Sequence, residues 1–222
     1  MLPGLVVAGA ASAAIALGTA GGSGGLAAAH PAHAAQPAQA ALPARQAEFR
    51  QDMRAIWEEH IVWTRMAIVD VAAGLPGLEA NLARLLRHQT QIGDAVTPFY
   101  GRAAGARLSG LLRGHILVAV EVLGAAKAGH ARALARAQAR WRSNGAQIAD
   151  FLHSANPAAW PKARMRRMMA GHLRLTGAEA LARLSGRWRA DVRAYDKIHT
   201  QILHMADMLS AGIIAQFPAR FR

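Results

Sequence analysis

The chain has 222 residues, and its 26 Lys and Arg against 13 Asp and Glu give a net charge of +13. It has no cysteine, which excludes disulfides, thiolate zinc sites, iron–sulfur clusters and a cysteine nucleophile together. Hydrophobic residues make up 53%, too many for an intrinsically disordered chain.

Residues 1–44 carry no charged side chain. Leu5–Leu17 is a short apolar run, followed by small residues and by Ala32-His33-Ala34, an A-x-A pattern. The expectation is a secretory signal peptide over 1–34, cut after Ala34, although no Lys or Arg precedes the apolar run. An uncleaved anchor fits less well, because Ala and Gly insert poorly and the Leu/Ile/Val-rich part is too short to span a bilayer. Residues 35–44 are Pro- and Ala-rich and read as a linker. The implied location is extracytoplasmic, secreted or held at the cell envelope.

The remainder, 45–218 with a tail over 219–222, shows helical spacing throughout. The first helix is expected over 44–73, with Phe49, Met53, Ile56, His60, Trp63 and Ala67 on one face. A second runs over 76–92 and is weakened by Gly93; Pro98-Phe99-Tyr100-Gly101 reads as a turn. A third covers 103–126 and is apolar nearly all round from Ile116 to Leu123, apart from Glu121, as the most buried helix of a bundle would be. The fourth runs over 130–154 and stops at Asn156-Pro157. Pro161 opens a short basic helix to Leu175. Thr176-Gly177-Ala178-Glu179 fits a capping box at the head of the longest helix, 177–216. No internal repeat at a fixed period is evident. The expected fold is all-α: an antiparallel four-helix bundle with two additional shorter helices.

Several segments resemble a bacterial family of small exported helical proteins: WEEHIVWTR (57–65), GLPGLEANLARLL (74–86), PFYG (98–101), FLHSANPAAWP (151–161) and AYDKIHTQILHMADMLSAGIIAQFP (194–218). Members carry names such as acetylglutamate kinase or glycosyltransferase. The resemblance implies the helical fold. The names would require phosphate loops or a nucleotide-sugar domain, and the chain has no strand–GxGxxG–helix unit. Its glycine cluster, Gly21-Gly22-Ser23-Gly24-Gly25, lies in the leader.

The chemistry expected of the bundle is metal binding. His60, His115 and His199 fall near the middles of three helices, so their rings would share a layer. Glu121 and Asp196 stand near them in sequence, and Asp196-x-x-His199 puts carboxylate and imidazole on one face. His204-x-x-Asp207 repeats that spacing. Imidazole and carboxylate suit zinc, iron or copper. A secondary candidate is Met165, Met168, Met169 and His172, soft ligands suited to copper, with His204, Met205 and Met208 as a weaker echo. Against both stand core packing by methionine and histidines satisfied by private partners.

Lys162, Arg164, Arg166, Arg167 and Arg174 make the fifth helix basic on its outer face. The alternative function is therefore a cell-envelope protein that binds anionic lipid or wall polymer. Nucleic acid is a poor partner, since no recognition module is present. No G-x-S-x-G or other catalytic motif appears, so a non-enzymatic protein is the expectation. Trp63 reads as core, Asn156-Pro157-x-x-Trp160-Pro161 as a rigid corner, and Arg65 as a possible clamp on a carboxylate inside the bundle.

Overall fold

A computed structural model describes residues 43–222. The signal peptide expected over 1–34, and the linker up to residue 42, lie outside the described residues.

The described residues form six α-helices and no strand: α1 (Ala44–Ala73), α2 (Leu78–Tyr100), α3 (Arg102–Lys127), α4 (Ala131–Ala155), α5 (Lys162–Leu184) and α6 (Trp188–Gln216). A 3-10 turn over Pro218–Phe221 follows. The connections are short, so each helix folds back on the one before it. Cross-helix pairs run in opposite order along neighbouring helices: Asp70 with Asn81 and Glu59 with Arg84 between α1 and α2, Glu121 with Arg140 and Leu111 with Asn144 between α3 and α4, Arg183 with Asp191 and His172 with Gln201 between α5 and α6. Every helix packs on its neighbours in sequence, and α6 packs on α1. The six helices therefore close into a ring. Arg54–Asp207, Glu58–His199 and Arg65–Asp191 cross the α6–α1 seam. Between non-neighbours, the contacts run among α1, α3 and α5, the helices that reach the interior.

The chain is all-α, as its periodicity implies, but the helices are not four long and two short. Their lengths run from 23 to 30 residues. The fifth helix does not end at Leu175. The Thr176 hydroxyl donates to the carbonyl of His172 one turn back, which satisfies it inside a helix rather than at a cap. Glu179 is buried against Arg65. The break comes at Ser185-Gly186-Arg187, where Gly186 has φ 65°. Likewise α2 continues through Pro98 and turns only at Gly101, with φ 83°. Gly93 marks a close crossing rather than a weak point: a Cβ there would strike Ser109 and the Gly105 carbonyl of α3. Nor is α3 the most buried helix, since Leu117 and Glu121 face solvent. It is the one described helix long and apolar enough to cross a membrane, judged by length and composition alone.

A repeat runs through the ring. Met53, Trp57, His60 and Ile61 of α1 recur as Leu108, Leu112, His115 and Ile116 of α3, 55 positions on. They recur again as Met165, Met169, His172 and Leu173 of α5, a further 57 on. All twelve side chains are buried. The interval is not constant and only His is invariant, which hides the repeat from a search at fixed period. Three helical hairpins, α1–α2, α3–α4 and α5–α6, thus contribute one histidine each to the middle of the core.

Candidate metal centre

The three inward histidines share a level of the ring. The ring centroids of His60 and His172 lie 6.3 Å apart, and those of His115 and His172 5.9 Å. Each histidine engages an amide side chain of the following helix through Nδ1: His60 with Gln89 at 3.3 Å, His115 with Asn144 at 2.8 Å and His172 with Gln201 at 3.0 Å. Each amide stands 29 residues after its histidine. Burial of the rings, at 3–5% exposure, makes these partners necessary, because an unpaired buried polar group is costly.

The amides fix the tautomers. Asn144 donates to the Leu111 carbonyl, so its oxygen faces His115 and accepts from Nδ1–H. Gln201 likewise presents its oxygen to His172. In both, Nε2 is the nitrogen with a lone pair. Gln89 is reversed: its nitrogen donates to the Leu85 carbonyl and faces Nδ1 of His60, and its oxygen is buried without a partner. With that amide N–H at Nδ1, His60 carries its proton on Nε2, so Nε2 gains a lone pair only if the ring changes tautomer and Gln89 gives up the Leu85 carbonyl.

Burial, the largest cause, holds His60 well below the usual imidazole range, and the neighbouring His172, His115 and His88 push the same way. It holds His115 down at about 3 and also lowers His172. The centre is therefore three neutral imidazoles. They line an apolar cavity of about 40 Å³ together with Met53, Trp57, Met169 and Met205. Such a volume has room for an ion or a few waters at roughly 10–15 Å³ each. No carboxylate lines it.

Of the five residues read from the sequence as one metal set, only His60 and His115 come together. His199 lies on the outer side of α6 and bonds Glu58 at 3.0 Å. Asp196 is exposed. Glu121 is exposed and pairs with Arg140. Spacing along a helix put Asp196 beside His199, but the face they share is turned outward. The third ring at the centre is His172, from the separate methionine set. Met169 joins it at the cavity, Met165 is buried in the core, and Met168 sits at its edge. His204 is exposed, and Asp207 bonds Arg54. The amides Gln89, Asn144 and Gln201 were missed; their signal is the shared 29-residue offset. Among the described residues no group of three or more His, Cys, Asp or Glu has metal-holding geometry. The rings stand somewhat too far apart to share an ion without closing in.

A second polar cluster lies toward one end. Arg65 donates to Asp191 at 2.7 Å and to Glu179 at 2.8 Å, and Arg183 adds a bond to Asp191 at 3.2 Å. Arg65 is thus the carboxylate clamp suggested by the sequence, with its carboxylates supplied by the protein. Hydrogen bonding from Arg65 holds Asp191 below the ordinary carboxylate range, whereas burial raises Glu179. Trp63, expected in the core, is half-buried beside Ala67, Leu85 and Ile116 with Arg84 over its ring, whereas Trp160 is core, and the Asn156 side chain fixes the corner before α5 by bonding the Gly212 carbonyl and the Ala159 amide.

On the outer face of α5, Lys162 and Arg166 both neutralise Asp150, at 3.7 and 2.6 Å. Arg164, Arg167 and Arg174 are exposed and form no ion pair among the described residues.

No protein-family model, no curated protein and no solved structure matches the chain.

Proposed function

We propose that the protein binds a transition metal ion inside the helical ring through His60, His115 and His172. The observation that carries this reading is the threefold recurrence of one unit, a buried neutral imidazole whose Nδ1 is held by an amide. A hydrogen-bonded distal nitrogen is how proteins orient metal-ligating histidines. The set matches the zinc, iron or copper anticipated from composition, with the carboxylates removed. Among these ions copper(I) suits the centre best. A single charge costs far less to bury than two, and the thioethers of Met53, Met169 and Met205 line the same cavity.

The test is elemental analysis of purified protein, followed by titration with copper(I) in competition with a chromophoric chelator and with zinc(II). One equivalent bound by the parent and lost in His60→Gln, His115→Gln and His172→Gln variants that keep the parent's circular dichroism is the expected result. A Glu121→Ala, His199→Ala variant should bind as the parent does. Metal binding that survives all three His→Gln changes would refute the site.

A second reading rests on the free guanidiniums of Arg164, Arg167 and Arg174 and the net charge of +13. They support contact with anionic lipid or wall polymer at the cell envelope. Co-sedimentation with anionic vesicles that fades with salt tests it.

A further inference from the structure

A cleft of about 490 Å³ opens on the outside of the ring where α3, α4 and α5 meet. Val122, Leu123 and Leu134 form one apolar wall, and Leu173, Leu181 and Leu184 the other. Gly177 and Ala180 of α5 keep the floor low: nothing lies within 4 Å of where a Gly177 Cβ would stand. Behind the floor is an inner apolar cavity of about 40 Å³, lined by Ile68, Leu85 and Ile116, that shares Val122, Leu123, Trp141, Gly177 and Ala180 with the cleft. Trp141 is 7% exposed, and its indole nitrogen has no hydrogen-bond partner. At the mouth stand Arg142 and Arg174, both exposed and neither engaged by a carboxylate among the described residues.

We infer that this cleft binds a single-chain anionic amphiphile, of the chemistry of a fatty acid. The carboxylate lies between Arg142 and Arg174, which can approach it with paired N–H groups. The alkyl chain lies along the leucines toward the floor that backs on the inner cavity. Volume and lining match those of small-molecule sites, which are mostly apolar with a few polar groups that set orientation. The inference is independent of the metal centre, since no residue of the cleft is one of its three histidines.

The probe is decanoate below its micellar concentration, followed by calorimetry and by tryptophan fluorescence, with decanol, decyltrimethylammonium and acetate as comparisons. Decanoate should bind with one-to-one stoichiometry, decanol more weakly, and the cation and acetate not at all. Gly177→Leu places a side chain in the cleft at an open, helix-compatible position and should abolish binding. Arg142→Glu with Arg174→Glu alters only exposed, unpaired side chains. It should weaken decanoate by about tenfold or more while leaving decanol unchanged. Equal binding of decanoate and decanol in the parent would overturn the headgroup assignment. Binding that persists in a folded Gly177→Leu variant would place the ligand elsewhere and overturn the site. A dimer that Gly177→Leu dissolves would assign the cleft to a second copy of the chain and equally overturn the inference.

Discussion

Acid should destabilise this protein well before its carboxylates titrate. His115 is neutral in the fold and held at about 3, whereas in the unfolded chain it protonates near 6.5. Between those values the unfolded state binds one more proton than the native state. Stability is therefore full above pH 6.5 and falls on acidification, by about 1.4 kcal/mol per pH unit for each such group. From pH 6.5 to 5 His115 alone removes about 2 kcal/mol. His60 and His172 shift in the same direction for the same cause and steepen the loss. A total stability of about 5–15 kcal/mol makes a loss of this size plain. The assay is urea unfolding followed by tryptophan fluorescence at pH 7.5, 6.5, 5.8 and 5.0, with the slope m held common. The midpoint should fall steadily below pH 6.5. Replacing the pair His115→Leu and Asn144→Leu removes one titrating group without orphaning its partner, and the pH dependence should become shallower by about 1.4 kcal/mol per pH unit. A midpoint independent of pH between 6.5 and 5 would refute the reasoning, because the imidazoles would then take up protons inside the folded ring at no cost.

Two further outcomes follow from packing and charge. Arg65→Leu strands the carboxylates of Asp191 and Glu179, both buried, and should cost about 3–5 kcal/mol in thermal or chemical unfolding; a loss under about 1 kcal/mol would mean Arg183 compensates. Gly93→Ala drives a Cβ into Ser109 and the Gly105 carbonyl across the α2–α3 crossing and should cost about 1–3 kcal/mol, whereas Gly110→Ala on the exposed face of α3, with nothing within 4 Å, should stabilise by about 0.5–1 kcal/mol.

The helices were legible because their apolar stripes follow the 3.6-residue period over long stretches. Their ends were less so where one residue carries two meanings. Thr176 with Glu179 has the spacing of a capping box, but Thr bonds its own helix equally well and Glu179 is claimed by Arg65, 114 positions away. Nothing local distinguishes the two outcomes. A boundary at Leu175 also leaves His172 on a short flanking helix and makes His199 of α6 the third inward histidine, but His199 faces Glu58. Helix midpoints put imidazoles from separate helices in one layer, and His60 and His115 do line one cavity. The third member is fixed by the ring, which brings alternate helices inward, and ring closure depends on contacts between α6 and α1 that no local pattern encodes. The amides were overlooked for a related reason: Gln89, Asn144 and Gln201 look like ordinary polar residues until each is counted 29 positions from its histidine.

A layer of three imidazoles and three amides has two possible physical roles, and one variant separates them. Buried polar layers can fix the register of packed helices at some cost in stability. They can also hold a ligand. For stability alone the layer has little to recommend it. Each His–amide bond contributes about 1 kcal/mol net, and apolar side chains of similar size would give as much through burial, without the acid sensitivity. Gln89 goes further: its side-chain oxygen is buried with no partner, a cost the resting fold carries. Replacing all three pairs with leucine tests the point. If the layer serves a ligand, the variant should fold to one state with equal or greater stability at pH 7, lose the acid transition between pH 6.5 and 5, and lose copper(I) binding. If the layer serves register, the same variant should lose its unique packing, with broadened amide resonances and binding of a hydrophobic dye, while its helix content persists. The second result would remove the metal reading's main support, because the threefold recurrence would then be explained by the alignment of the three hairpins alone.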